Sequence, residues 1–358
     1  MKKFFALLAA IAMLATLTAC GGSPSSSSGS GTSGGSGSTG DSGSSDSGSD
    51  AAPIVLKLAH TNPADNPLSK DMERLAEEVK EASGGRLVIE IYPDSILGDD
   101  DEIVEQIYNG ANMMNYVDPA LLESYYYDMS ILASPYLYNN VEEIALLAET
   151  DQVKSMVKGC EDAGIKILDG MAGYYGVREI MSTKPIRTPD DMKGVNFRVP
   201  STAIWVAMAN AMGSTPTPVS FSEAYTALSQ GVVNAIENPI PSMYAASFQE
   251  VCKYMNMTDH MYAAQGLVMS TQVFNDLPAD LQEILLAKVK DFTAYSTANV
   301  VAAEQEYITK MEEAGVTVIR DVDKEAFAEA CSVIYDTYPG WSDGLVENVL
   351  AAMESIRK

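Results

Sequence analysis

The chain has 358 residues, 46% of them hydrophobic, and its 23 basic against 49 acidic side chains leave a formal charge of −26. That balance excludes a nucleic-acid binder, which needs clustered Lys and Arg to meet phosphates. With only His60 and His260, and no G-x-S-x-G, H-E-x-x-H, Walker or strand-following G-x-G-x-x-G pattern, the common enzyme signatures are missing as well.

Met1-Lys2-Lys3 and the apolar run Phe4 to Leu17 read as a secretory signal over residues 1–19, too short to span a bilayer comfortably. Leu17-Thr18-Ala19-Cys20 looks like a bacterial lipobox, so the expectation is a lipidated Cys20 at the start of the mature chain. Residues 20–50, nearly all Ser, Gly and Thr after Cys20, cannot bury apolar area; about 30 such residues form a flexible tether with a reach of about 30 Å. A lipid and a tether suit the outer face of the cell membrane in a bacterium without an outer membrane. Cys160, Cys252 and Cys331 show no CxxC and no His at metal-ligand spacing, so one disulfide stays open and no metal or cofactor is expected.

Ile54 to His60 reads as a buried strand, and Met72, Leu75, Ala76 and Val79 recur at helical spacing up to the Ser83-Gly84-Gly85 stop. Arg86 to Tyr92 alternates as a strand, Asp99 to Glu102 opens a helix with acids, and Asn112 to Tyr116 reads as the next strand. This alternation predicts a largely parallel sheet covered by helices, an α/β fold. Further on, Thr188-Pro189-Asp190-Asp191 starts a short helix ended by Gly194, before a strand Val195 to Val199. Ser220 with Glu223 reads as a second capping box, and its helix ends at Gly231 before a strand Val232 to Glu237. Ala279 to about Ala314 lacks Gly and Pro and keeps Leu281, Ile284, Leu285, Val289 and Phe292 on one stripe. This helix would be about 50 Å long, enough to cross two lobes.

Arg198 falls at the carboxyl end of its strand, the edge that faces the crevice in open α/β sheets. A guanidinium there can hold a carboxylate through two parallel bonds. Asn238 ends the other strand and offers an uncharged donor.

The run Arg178 to Pro239, with Phe197-Arg198-Val199-Pro200, Lys184-Pro185-Ile186 and Glu237-Asn238-Pro239, resembles the DctP-type solute-binding proteins of TRAP transporters, and the likeness extends over essentially everything after residue 53. It implies a two-lobed periplasmic-binding-protein-like fold with a long helix crossing both lobes. Lobe I would be 51–175, with about 264–303 returning to it, and lobe II 176–263, with about 304–358 returning. It implies a receptor, not an enzyme, that binds a small organic acid and delivers it to TRAP membrane permease subunits. Arg198 would clamp the carboxylate and Asn238 would contact the ligand. Arg178 would be a second ligand arginine or a lobe-linking ion pair, and Phe221 a ligand-packing or a core aromatic. On the opposite wall it implies Thr61, His60, Asp100, Tyr116 and Asp118. Of these, Asp100 reads first as a helix-terminal acid and His60 equally as a satisfied buried histidine. Tyr125-Tyr126-Tyr127 reads as a packed or interfacial patch, and Trp205 as helix core.

Two aspartates on that wall would repel a second carboxylate and accept hydroxyl protons, which favours a sugar acid such as a hexuronate. A C4-dicarboxylate or keto acid is the alternative, and service to an ABC permease or sensor kinase a more distant one.

Overall fold

The structure, a computed structural model, describes residues 52–358. The expected signal, Cys20 and the tether lie outside the described residues.

Strand β1 (Ile54–Ala59) leads through helix α1 (Pro67–Ala82), β2 (Leu87–Tyr92) and α2 (Asp100–Tyr108) to β3 (Met113–Val117), and β1 pairs in parallel with both its neighbours. Asn66 caps α1 by accepting from the Leu68 N–H, a proline follows at the first helical position, and Leu68, Met72, Leu75, Ala76 and Val79 form its buried face. Helices α3 (Glu142–Ala148) and α4 (Asp151–Ala163) precede the short β4 (Ile165–Ile167) and the long β5 (Gly173–Ser182).

A second parallel set follows: β6 (Asn196–Val199), α5 (Ala203–Ala211), β7 (Thr215–Pro218), α6 (Phe221–Ser229), β8 (Ala235–Pro239) and α7 (Ile240–Ala245). The chain then runs through the 17-residue β9 (Tyr254–Ser270), α8 (Thr271–Asp276), α9 (Ala279–Glu313), β10 (Thr317–Ile319), α10 (Lys324–Thr337) and α11 (Leu345–Ile356).

The strand order is β2-β1-β3-β9-β5-β8-β6-β7, with β4 and β10 also on β9. The sheet is therefore mixed rather than largely parallel. Strands β5 and β9 pair antiparallel with each other and with β8 and β3 respectively, so two parallel half-sheets meet across an antiparallel centre. Strand β5 bulges between Tyr174 and Gly176. Gly176 sits there at φ +132°, where an added Cβ would come within 2.7 Å of the Pro239 Cβ, so only glycine lets β5 pass β8 so closely.

Helix α9 runs 35 residues, about 52 Å at 1.5 Å per residue. Leu281, Leu285, Val289, Phe292, Ser296, Val300, Ala303, Tyr307 and Met311 make one buried stripe along it. That stripe packs on α1, β5 and α7, and so reaches elements of both half-sheets.

Three local expectations change. Helix α6 does begin after Ser220, but the Ser220 hydroxyl sits 3.0 Å from the Ser222 hydroxyl and no capping box forms. The strand expected from Val232 starts at Ala235, because the amides of Val232 and Val233 bond back to the Ala227 carbonyl and finish the helix. The C-terminal stretch expected on the second lobe divides: α10 packs on α5, while α11 packs on α3 and buries Leu345, Val349 and Met353 among residues of the first half. Cys160, Cys252 and Cys331 are buried free thiols, which leaves no disulfide among the described residues.

Candidate functional site

The carboxyl ends of β1 and β3 face those of β6 and β8 across a cavity of about 280 Å³. This is the crevice that open α/β sheets make at their strand ends. Arg178, Arg198, Phe221 and Asn238 line one side, and His60, Thr61, Asp100, Tyr116 and Asp118 the other; all nine candidate residues border the same cavity.

Arg198 is 3% exposed. Its Nε donates to the Val219 carbonyl at 2.8 Å, and no carboxylate of the described residues lies within ion-pair range of it. Burial holds its pKa down to about 10, with Glu237 working against that and Arg178 with it, so it stays charged at neutral pH. The Phe221 ring lies 5.8 Å from this guanidinium and meets Phe248 edge-on at 5.7 Å. Phe221 therefore packs against the core ring of Phe248 and also borders the cavity.

Arg178 differs. Its Nε and Nη2 donate to Glu237 Oε2 and Oε1 at 2.5 and 2.9 Å, both partners buried, and its guanidinium stands 4.5 Å over the Trp205 ring. Burial works against the Arg178 charge, yet the Glu237 carboxylate outweighs it and lifts the pKa above the ordinary guanidinium value. Burial likewise pushes Glu237 up, and Arg178 overrides it, holding the carboxyl down to about 2. Behind this pair, the His260 Nε2 lies 3.6 Å from Glu237, beyond hydrogen-bond range, while its Nδ1 meets the Thr258 hydroxyl at 2.8 Å. Arg178 is therefore already neutralised, and Arg198 brings the uncompensated positive charge.

On the facing wall, Asp100 accepts from the Thr61 hydroxyl and from the Asn115 amide, each at 3.1 Å. Burial raises its pKa to about 6. It opens α2, as a helix-terminal acid does, and also points into the cavity. Asp118 accepts from the Ala120 N–H at 2.8 Å through Oδ1, and its Oδ2 has no partner; burial raises its pKa to about 6 against the pull of Arg178. His60 is 2% exposed with both ring nitrogens unpartnered, so it is buried but not satisfied, and burial lowers its pKa to about 4. The Tyr116 hydroxyl and the Asn238 Oδ1 are buried and unpartnered too.

Sequence reading missed four contributors. Glu237 stands in the same Glu-Asn-Pro run as Asn238 and was legible from it. Gln265 on β9 has an unpartnered Oε1, and Tyr175 donates to Asn62 Oδ1 at 2.7 Å; nothing in their local sequence marks them, because the β5 bulge and the length of β9 aim them. Trp205, expected in the helix core, is buried yet borders the cavity beneath Arg178. In the tyrosine run, Tyr125 packs on Tyr108 and Tyr127 on Tyr338, away from the site.

A cleft between two half-sheets, with one guanidinium free of a carboxylate partner and several buried polar atoms without partners, is suited to holding a small polar ligand. Residues 58–339 match the family model of the bacterial extracellular solute-binding protein, family 7 (DctP), and the chain belongs to that family of TRAP solute-binding receptors, which are not enzymes. It is 27% identical over 309 residues to the C4-dicarboxylate-binding periplasmic protein DctP of Rhodobacter capsulatus, covering 85% of this chain and 91% of that one. Among solved structures it is similar to a TRAP periplasmic solute-binding protein from Ochrobacterium anthropi with bound L-fuconate, at 33% identity and a TM-score of 0.81, covering 84% of this chain and 100% of that one. A counterpart from Actinobacillus succinogenes 130Z with bound L-galactonate is 31% identical with a TM-score of 0.81, again covering 84% and 100%.

Proposed function

We propose that this receptor closes over a hydroxylated monocarboxylate, a sugar acid of the hexonate or hexuronate class, and hands it to TRAP permease subunits. The observation that carries the reading is the charge pairing in the cleft: Glu237 neutralises Arg178, so Arg198 offers a seat for one carboxylate. Asp118 Oδ2, the His60 ring nitrogens, the Tyr116 hydroxyl and Gln265 Oε1 then supply donors and acceptors for hydroxyl groups. A second carboxylate would meet Asp100 and Asp118 instead. At ~4 Å two like charges oppose each other by about 4 kcal/mol at an effective dielectric near 20. The structures with bound L-fuconate and L-galactonate support the same class.

In this reading Arg198 clamps the carboxylate, Asn238 and Arg178 border it, Phe221 packs on the ligand, and His60, Thr61, Asp100, Tyr116 and Asp118 meet its hydroxyls. The lobes are 51–175 and 176–263, α9 spans both, and lipidated Cys20 with its tether keeps the receptor on the outer face of the membrane. Cys20→Ser would then release it from the membrane fraction. The functional test is a thermal-shift panel. L-galactonate, L-fuconate and D-galacturonate should stabilise the protein by about 2.7 kcal/mol at 100 times their Kd. A strong shift with succinate, malate or fumarate and none with the sugar acids refutes the class.

A further inference from the structure

Two hydrogen bonds cross the mouth of the cleft, one on each flank. On the first flank, Asp99, the N-cap residue just before α2, accepts from the Ser222 hydroxyl at 2.8 Å through Oδ2, and Ser222 is the second residue of α6. The other Asp99 oxygen accepts from the Ser95 hydroxyl at 3.0 Å, which anchors the carboxylate to its own side. On the second flank, Glu123 Oε1 accepts from the Ala203 N–H at 2.9 Å, the first amide of α5, and its Oε2 accepts from the Tyr338 hydroxyl at 2.8 Å.

Each bond ties a carboxylate of the β2-β1-β3 half to a donor in the first turn of a helix from the β8-β6-β7 half, where the helix dipole favours negative charge. Each also sits beside a wall of the cavity. Asp99 precedes Asp100 and Ser222 follows Phe221, while Leu121 and Ser201, both lining residues, lie two positions before Glu123 and Ala203.

We infer that Asp99 and Glu123 are positioning residues that clasp the cleft shut, so that they lengthen ligand retention without being carboxylate clamps. The inference rests on the reading of a receptor that closes on its ligand. Closure forms both bonds at once, and opening must break both before the solute can leave, so they act on dissociation and leave encounter nearly unchanged. Asp99 also borders the ligand space and caps α2, so the clasp is best cut from the partner side.

Stopped-flow fluorescence with L-galactonate on wild type, Ser222→Ala, Glu123→Ala and the double variant tests this. Association should stay within about twofold, while each single variant dissociates about tenfold faster and the double about a hundredfold faster. Dissociation rates within twofold of wild type in all three variants overturn the clasp. If wild type binds no sugar acid, the ligand class fails separately. Hydrogen exchange at the Ala203 amide then decides: protection in wild type that vanishes in Glu123→Ala supports the clasp, and equal exchange overturns it.

Discussion

Replacing Arg198 by Met keeps much of its volume and removes the uncompensated guanidinium, which should move affinity and apo stability in opposite directions. With ligand bound, a desolvated carboxylate would lose its charged partner, a loss of about 3–5 kcal/mol or roughly two to three and a half decades in Kd. Without ligand, Arg198 is a buried cation whose pKa is held near 10 by burial, a penalty of about 3 kcal/mol at most. Its single hydrogen bond, to the Val219 carbonyl, returns about 1 kcal/mol. Arg198→Met should therefore raise the apo melting temperature by a few degrees while weakening binding by those two to three and a half decades, and Arg198→Lys should restore only part of the affinity because it cannot make the bidentate pair. Calorimetry and thermal melts on the same preparations read both effects. A Met variant that binds within about threefold of wild type, a difference under ~1 kcal/mol, or that melts lower without ligand, would return Arg198 to a structural role.

Glu237→Gln should behave oppositely in the apo protein, because it strands the buried Arg178; a loss of about 3–5 kcal/mol is expected in denaturant titrations, and a loss under ~1 kcal/mol would mean the pair is not buried as described. For Asp100 the folded pKa is raised from 3.8 to about 6, so its ionisation costs stability as pH rises through that window, and Asp100→Asn should melt like wild type near pH 4 and above it by pH 7; equal melting at both pH values would contradict the raised pKa. Glu179 is buried, accepts from the Asp259 N–H at 2.9 Å, and its pKa is raised well above the carboxylate range by burial and by the Asp259 side chain. Glu179→Gln keeps that acceptor and a donor toward Asp259, so it should be neutral at low pH and stabilising at high pH, and a uniform loss at every pH would contradict a protonated Glu179.

The site was legible in the sequence where chemistry and strand ends coincide. Arg198-Val199-Pro200 and Glu237-Asn238-Pro239 each stop a strand at a proline, so the reactive side chains could be assigned to the crevice edge before any geometry was known. The helix α9 was legible from its uninterrupted apolar stripe. What stayed hidden depends on contacts far apart in the chain. The antiparallel centre comes from β9, whose apolar and polar residues do not alternate cleanly because both its faces are covered. Tyr175 reaches the cavity at the β5 bulge, and Gln265 reaches it from the far part of the long β9. The pairing that neutralises Arg178 needs Glu237, 59 residues away in sequence, and no local pattern distinguishes a paired arginine from a free one. Similarly, Ser220 and Glu223 carry the letters of a capping box, but the Ser220 hydroxyl turns to Ser222, whose own proton goes to Asp99, and the box does not form.

A crystal structure of the receptor with L-galactonate would show whether Arg198 seats a single carboxylate while the facing wall meets its hydroxyls. The carboxylate should form a two-bond pair with the Arg198 guanidinium at about 2.7–2.9 Å. The hydroxyls should fall within hydrogen-bond reach of Asp118, His60 or Gln265. A carboxylate seated on the β1–β3 wall, or a bound ligand whose second acid group displaces Glu237 from Arg178, would contradict it.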